Sequence, residues 1–337
     1  MTRPRIVVGH RIFDETLEEL SACGEVITPV GRDTLPPARL LRELASASAW
    51  MAFMPDSADA RLLRQCPQLR IIAGALKGCD NFDVEACTRR GIWLSVVPDL
   101  LTEPTAELTI ALMIGLARHL LEGDRRVRSG RYRGWRPSLY GRGLAGSRVG
   151  LIGMGVIGQA VAARLKGFGV EQRYCDPRPL AEPLAHELGL ARVRDPSALL
   201  GWSHYLVLAA PLTPATTHII DAKALRRIRP GCLLVNPSRG SLVDESAVLL
   251  ALEEGRLGGY AADVFEMEDW ARTDRPRTIS AGLRRHPRTL FTPHLGSAVM
   301  EVRRAIERRA AENVADALSG RAPRDALNSV GTKAAVR

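Results

Sequence analysis

Three polar residues that can hold an anion and move a proton follow apolar runs in the second half of the chain. Arg239 follows the run 232–236, Glu268 follows 259–264, and His294 follows 289–292. A guanidinium binds an oxyanion at two points, an imidazole exchanges a proton near neutral pH, and a carboxylate beside it orients the ring. Because ligands bind at the carboxyl ends of strands in open α/β sheets, the pattern predicts an acid–base site for a small oxyanion.

A glycine-rich turn predicts a dinucleotide site. Gly153-Met-Gly155-Val156-Ile157-Gly158 matches GxGxxG, directly after the apolar run 148–152 and at the start of an amphipathic helix. Such a turn lets a pyrophosphate approach the helix N-terminus. Asp176 lies 18 residues after Gly158, where a carboxylate can accept hydrogen bonds from a ribose. Its charge favours NAD over NADP, although Arg178 leaves some tolerance for NADP.

Short apolar runs alternate with amphipathic segments along most of the 337 residues. This βαβα pattern predicts parallel sheets that are covered on both faces. We expect a substrate-binding domain at 1–99, a dinucleotide-binding domain at 100–296, a helix at 297–325 that returns to the first domain, and a loose tail at 326–337. One long helix is predicted over 104–121 and an ordered loop over 129–146.

Composition and charge argue against several other classes of protein. The net charge of +10 comes from arginines that are spread along the chain, and aromatic residues make up only 5%, so we expect no nucleic-acid partner. No apolar run approaches the ~20 residues needed to span a bilayer, and the N-terminal stretch has no apolar signal region, so we expect a cytoplasmic protein without a membrane partner. The six cysteines are scattered, and no metal site is predicted.

Four segments carry a family resemblance. They are 150–158 (GLIGMGVIG), 174–177 (YCDP), 236–269 and 292–294, and they resemble the D-2-hydroxyacid dehydrogenase family over nearly the whole chain. The resemblance implies two doubly wound α/β domains, a Rossmann NAD-binding domain and a smaller flavodoxin-like substrate domain completed by the C-terminal helix. It also implies NAD as cofactor and a homodimer. The candidate coenzyme-binding residues are Gly153, Gly155, Val156, Ile157, Gly158, Asp176, Pro177, Pro211, Thr105, Asp263, His294 and Gly296.

Other segments resemble the phosphite-oxidising (phosphonate dehydrogenase) members of that family. They are 51–56 (MAFMPD), 75–83 (ALKGCDNFD), 97–108 (VPDLLTEPTAEL) and 264–277 (VFEMEDWARTDRPR). The last departs from the family, which usually has proline after the glutamate where this chain has Asp269. The resemblance implies that Arg239, Glu268 and His294 act with a substrate-binding set comprising Lys77, Gly78, Arg239, Met54, Leu101, Trp135, Tyr140, Ser297 and Arg303.

The expected reaction is phosphite + NAD⁺ + water → phosphate + NADH, with His294 as general base. Phosphite is a small dianion without a carbon chain, so it needs cations, which Lys77 and Arg239 supply. One alternative is a D-2-hydroxyacid dehydrogenase, in which His294 protonates the carbonyl oxygen. Another is a non-enzymatic regulator that senses NAD(H). The remaining histidines, His10, His119, His186, His204, His218 and His286, are interpreted as surface or core residues.

Overall fold

The computed structural model describes residues 3–330 and divides them into two compact units. The first unit contains the chain up to Leu101, Trp270–Thr273 and the part from Val299 onward, and the second contains Thr102–Asp269 and Asp274–Ala298. Each unit has its own parallel sheet, which confirms the predicted fold class. The sequence predicts boundaries after 99 and 296 and does not predict the insertion of Trp270–Thr273.

The first unit is built on a five-stranded parallel sheet with the order β2-β1-β3-β4-β5, the flavodoxin-like order. Its strands are β1 (Arg5–Val8), β2 (Glu25–Ile27), β3 (Ala49–Ala52), β4 (Ile71–Gly74) and β5 (Trp93–Ser95). Its first helices are α1 (Asp14–Cys23), α2 (Pro37–Leu44), α3 (Ala60–Arg64) and α4 (Val84–Arg89). β3 and β4 are buried along their whole length, because helices cover both faces of the sheet.

The second unit opens with α5 (Thr102–Ala117) and α6 (Leu120–Arg128). It continues with β6 (Arg148–Ile152), α7 (Val156–Lys166), β7 (Glu171–Cys175), α8 (Glu182–Glu187), β8 (Leu190–Arg192), α9 (Ser197–Leu200), β9 (Tyr205–Leu208), α10 (Ala222–Arg227) and β10 (Cys232–Asn236). It ends with a 3₁₀ turn at Gly240–Leu242, α11 (Glu245–Glu253), β11 (Leu257–Ala262), a 3₁₀ turn at Glu266–Glu268, α12 (Ala281–Arg285) and β12 (Thr289–Phe291).

The seven strands of this unit are parallel, in the order β12-β11-β10-β9-β6-β7-β8. Strand order reverses between β6 and β9, and dinucleotides bind at such a switch point in Rossmann folds. The predicted helix 104–121 is wrong in its extent, because α5 ends at Ala117 and His119 adopts a left-handed backbone with φ of 54° before α6 begins. The predicted loop 129–146 contains no helix or strand.

The last helix, α13 (Met300–Leu318), belongs to the first unit and packs against α1, β3 and β4. This places the C-terminal helix on the first sheet, as predicted. Residues 326–328 are not loose, because Leu327 N–H donates to the carbonyl of Leu94 at 2.7 Å and Asn328 Oδ1 accepts from Leu94 N–H at 2.9 Å. Residues 331–337 of the predicted tail lie outside the described residues.

Candidate active site

His294 and Glu268 form a close pair in the second unit. His294 Nδ1 lies 2.7 Å from Glu268 Oε2, and both side chains are a little more than one-quarter exposed. The other carboxylate oxygen, Oε1, accepts from Phe265 N–H at 3.0 Å, which fixes its orientation on the 3₁₀ turn. With Nδ1 held by the carboxylate, Nε2 is the nitrogen left to exchange a proton with a substrate.

The buried residue Asp263 holds the backbone at and around His294 in place through its carbonyl and its carboxylate. His294 has a φ of 57°, an uncommon conformation for a residue with a side chain. Its N–H donates to the carbonyl of Asp263 at 2.8 Å. The Asp263 side chain accepts from Thr292 Oγ1 and Leu295 N–H at 2.6 Å and from Gly296 N–H at 2.8 Å. Burial raises the pKa of Asp263, which these hydrogen bonds oppose.

Arg239 lies at the carboxyl end of β10, directly before the 3₁₀ turn Gly240–Leu242. It is half-buried, its carbonyl accepts from Asn236 Nδ2 at 2.8 Å, and its Nη1 donates to the carbonyl of Ser238 at 2.8 Å. A Cβ on Gly240 would lie 1.8 Å from the carbonyl carbon of Phe265. Only glycine therefore allows the turn that carries Arg239 to pack against the turn that carries Glu268.

The glycine turn fits a dinucleotide. Gly153 has a φ of 94°, and a Cβ there would lie 2.5 Å from the backbone of Ala209 and Ala210. A Cβ on Gly158 would lie 2.6 Å from the carbonyl oxygen of Gly153. Gly155 instead faces open space, and no side chain caps the start of α7. The first N–H groups of this helix are thus available to a pyrophosphate.

Asp176 follows β7 beside this turn. Its Oδ2 accepts from Met154 N–H and its Oδ1 from Arg178 N–H, both at 2.8 Å. These bonds hold a negative charge where a ribose would lie. Sequence reasoning missed Arg192, whose Nη2 donates to the carbonyls of Asp176 and Pro177 at 3.0 Å. A guanidinium at this position can accommodate a 2′-phosphate.

Other predicted coenzyme residues also gather at the carboxyl edge of this sheet. Thr105 Oγ1 donates to the carbonyl of Gly296 at 3.2 Å, next to the buried Asp263. Ser297, a member of the predicted substrate-binding set, follows Gly296 and is buried. Pro211 lies beyond β9, and its carbonyl accepts from Thr216 Oγ1 at 2.7 Å.

The structure places the predicted substrate-binding cations Lys77 and Arg303 in the first unit. Lys77 follows β4, is half-buried and donates from Nζ to the carbonyl of Pro98. Burial lowers the pKa of Lys77, and the carboxylate of Asp99 opposes this effect. Burial also lowers the pKa of Arg303, which Glu307 opposes.

Arg303 reaches the same segment from α13. Its Nη1 donates to the carbonyl of Ala75 at 3.1 Å, and its guanidinium lies 5.6 Å from the centre of the Phe53 ring. Two cationic side chains of the first unit, those of Lys77 and Arg303, therefore lie at the segment 75–77. Of the neighbouring predicted residues, Met54 and Gly78 are half-buried and Leu101 is buried.

The structure leaves the two aromatic residues of the predicted substrate-binding set exposed in the second unit. Trp135 and Tyr140 lie in the segment 127–143, in which every residue is exposed, and their exposed fractions are 75% and 76%. Tyr140 lines a cavity of about 460 Å³ at the end of α5, whose lining does not include Arg239, Glu268 or His294. Their place in the substrate-binding set stays a prediction.

Two histidines interpreted as surface or core residues have carboxylate partners instead. His10 Nε2 lies 3.4 Å from Asp56 Oδ1 in the first unit, and His218 Nε2 lies 2.9 Å from Glu266 Oε2 in the second. Sequence separations of 46 and 48 residues hide both pairs from local patterns. Within residues 3–330, no cluster of three or more potential metal ligands occurs, and no helix has the length and apolar character needed to cross a membrane.

Comparison with known proteins points to one family. The family described as "D-isomer specific 2-hydroxyacid dehydrogenase, NAD binding domain" matches residues 110–296. The glyoxylate reductase of Thermococcus litoralis is 34% identical over 335 residues and that of Aeropyrum pernix 37% identical over 333, with 97% of each chain covered. A crystal structure of a glyoxylate reductase from Paecilomyes thermophila superposes with a TM-score of 0.83 at 26% identity, covering 97% of this chain and 99% of that one.

Proposed function

The chain belongs to the D-isomer specific 2-hydroxyacid dehydrogenase family, and on that premise we propose that it oxidises or reduces a small anion with His294 as the proton-transferring residue. The observation that carries this proposal is the 2.7 Å contact between His294 Nδ1 and Glu268 Oε2. The carboxylate orients the ring and stabilises its cation, so that Nε2 can accept or donate a proton. Arg239 would hold the oxyanion of the substrate.

The family uses NAD(P), which when bound accepts or supplies the hydride. Gly153, Gly155 and Gly158 would hold its pyrophosphate at the start of α7. We propose a preference for NAD, because the anchored carboxylate of Asp176 would repel a 2′-phosphate. Arg192, beside it, supports partial tolerance of NADP.

The first candidate reaction is the reduction of a small 2-oxoacid of the glyoxylate type to the 2-hydroxyacid. The names of the relatives support it, since glyoxylate reductases align over 97% of the chain. In this direction protonated His294 would donate from Nε2 to the carbonyl oxygen, while Arg239 holds the carboxylate.

The second candidate reaction is the oxidation of phosphite to phosphate. The observation that favours it is that two cations, Lys77 itself and Arg303 from α13, lie at the segment 75–77. A dianion without a carbon chain requires more positive charge than a monocarboxylate does. Here Nε2 of His294 would take the proton of the attacking water as the P–O bond forms and the P–H bond breaks.

One assay separates these candidates. Purified protein is supplied with NADH and glyoxylate, or with NAD⁺ and phosphite, and absorbance is followed in the NADH band. If NADH is consumed with glyoxylate and none is formed with phosphite, the first candidate is selected. If NADH is formed with phosphite and none is consumed with glyoxylate, the second candidate is selected. Binding of NADH without turnover on either substrate, or on a panel of 2-hydroxyacids, would instead favour a coenzyme-sensing regulator. His294→Gln is the control, since it should lower either activity at least about a hundredfold.

We also propose that the chain acts as a homodimer. The support is the segment 127–143, which exposes Tyr132, Trp135 and Tyr140 together in the single chain; aromatic groups exposed in this way are typical of an interaction surface. Light scattering of the purified protein measures its mass. A dimer in the wild type that becomes a monomer in Trp135→Glu would support the proposal, and a wild-type monomer would overturn it.

A further inference from the structure

A hydrogen-bonded cluster of two buried glutamates and one half-buried histidine includes the 3₁₀ turn that carries Glu268. Glu245, at the start of α11, and Glu266, on the 3₁₀ turn, are each 6% exposed. Glu245 N–H donates to Glu266 Oε1 at 2.9 Å, and Glu266 N–H donates to Glu245 Oε1 at 2.8 Å. His218 Nε2 lies 2.9 Å from the second oxygen of Glu266. These reciprocal contacts fasten α11 to the turn that carries Glu268.

The same cluster reaches the turn that carries Arg239. The N–H of His218, which has a φ of 51°, donates to the carbonyl of Ser241 at 2.7 Å. The N–H of Ser241 in turn donates to Asp269 Oδ2 at 2.7 Å, one residue beyond Glu268. His218 thus contacts one turn through its backbone and the other through its ring.

We propose that His218, Glu245 and Glu266 are positioning residues that hold the turns of Arg239 and Glu268 together, and so keep Glu268 against His294. The inference rests on the proposed function of that pair. None of the three needs to touch the substrate. They act because a shift of the 266–268 turn would lengthen the 2.7 Å contact between Glu268 and His294, and a misplacement of about 1 Å can cost about a hundredfold in rate.

The experiment compares His218→Ala with His218→Gln. The alanine removes the ring, whereas the amide of glutamine can donate to Glu266 from the position of Nε2. We expect kcat to fall about ten- to hundredfold in His218→Ala and to recover in part in His218→Gln. The KM for the coenzyme should stay constant in both variants, because the glycine turn is untouched. His186→Ala is the matched control, because His186 is an exposed histidine of the same unit.

A spectroscopic measurement tests the same idea without any substrate. An imidazole N–H that is hydrogen-bonded to a carboxylate gives a downfield proton resonance, and its loss in His294→Gln identifies the signal of His294. We expect this signal to broaden or disappear in His218→Ala and in Glu266→Gln, and to persist in His186→Ala. It reports on the positioning even if the wild type converts none of the tested substrates, so the failure of either proposal can be recognised.

The inference is overturned if the signal and kcat of folded His218→Ala match those of the wild type. It is also overturned if His218→Ala only lowers the thermal midpoint, because a purely structural residue would change stability and leave the His294 signal intact. Should Glu266→Gln fail to fold, the half-exposed His218 still decides the question.

Discussion

The carboxyl group of Glu245 should make the stability of this protein depend on pH in a way that one substitution removes. Burial, followed by the nearby carboxylates of Glu266, Glu268 and Asp269, raises the pKa of Glu245 from 4.5 to about 7, although a hydrogen bond from the Glu266 backbone opposes this. The folded state therefore binds a proton that the unfolded chain releases. Since a tenfold change in proton affinity is worth about 1.4 kcal/mol, the difference amounts to about 3 kcal/mol.

The sign follows from which state holds the proton. Below pH 4.5 both states are protonated, and the stabilising contribution is fully present. As the pH rises from 4.5 through about 7 the unfolded chain ionises first, so the contribution is lost. Glu245→Gln keeps the acceptor oxygen for Glu266 N–H but cannot ionise. We therefore expect the free energy of unfolding of the wild type to fall by up to about 3 kcal/mol relative to this variant over that range.

Urea denaturation at several pH values measures this difference. Titrations of groups that do not interact with Glu245 cancel between wild type and variant, so the change in their difference reports on Glu245 and its coupling to the carboxylates beside it. Glu253→Gln, an exposed carboxylate on the same helix, should run parallel to the wild type. If the curves of the wild type and Glu245→Gln are also parallel between pH 4.5 and 7, Glu245 is not a buried carboxyl group with a raised pKa and the reasoning fails.

Four further substitutions test the coenzyme and substrate residues. Gly158→Val should weaken NADH binding more than about tenfold, because even its Cβ would meet the carbonyl oxygen of Gly153 at 2.6 Å; fluorescence titration measures this, and unchanged affinity would exclude the turn as the pyrophosphate site. Asp176→Ala should raise kcat/KM with NADP relative to NAD, since the repelling carboxylate is removed, and an unchanged ratio would refute that role. Lys77→Ala should raise KM for the anionic substrate about ten- to hundredfold with little effect on kcat; initial rates decide, and a constant KM removes Lys77 from the site. His294→Gln should lower kcat about 10²- to 10⁴-fold while NADH still binds; near-normal turnover would rule out its role in proton transfer.

Much of the candidate site could be predicted because a parallel sheet brings distant residues to one edge. Gly153, Asp176 and His294 are far apart in sequence, yet each follows a strand of the same sheet. Apolar runs and glycines mark those strand ends without knowledge of tertiary contacts. The same rule put Arg239 and Glu268 at the edge, although it could not predict their hydrogen bonds.

The parts that escaped prediction depend on short elements or on contacts across the fold. β8 has three residues, too few for a periodic pattern, so Arg192 was not recognised beside Asp176. The end of α5 depends on the left-handed backbone of His119. Because this position is not a glycine, the sequence does not indicate the break. The pairing of His218 with Glu266 depends on how two loops pack, and neither residue stands out in its own segment.

Asp269 explains how the chain accommodates its departure from the family pattern. The family usually has proline after the catalytic glutamate, and proline has no N–H to donate. Here the N–H of Asp269 donates to the carbonyl of Glu266 at 3.2 Å, and its buried carboxylate accepts from Ser241 N–H at 2.7 Å. A ring that fixes φ is thus replaced by two hydrogen bonds, one within the turn of Glu268 and one to the turn of Arg239. The departure can therefore preserve the geometry of the Glu268–His294 pair.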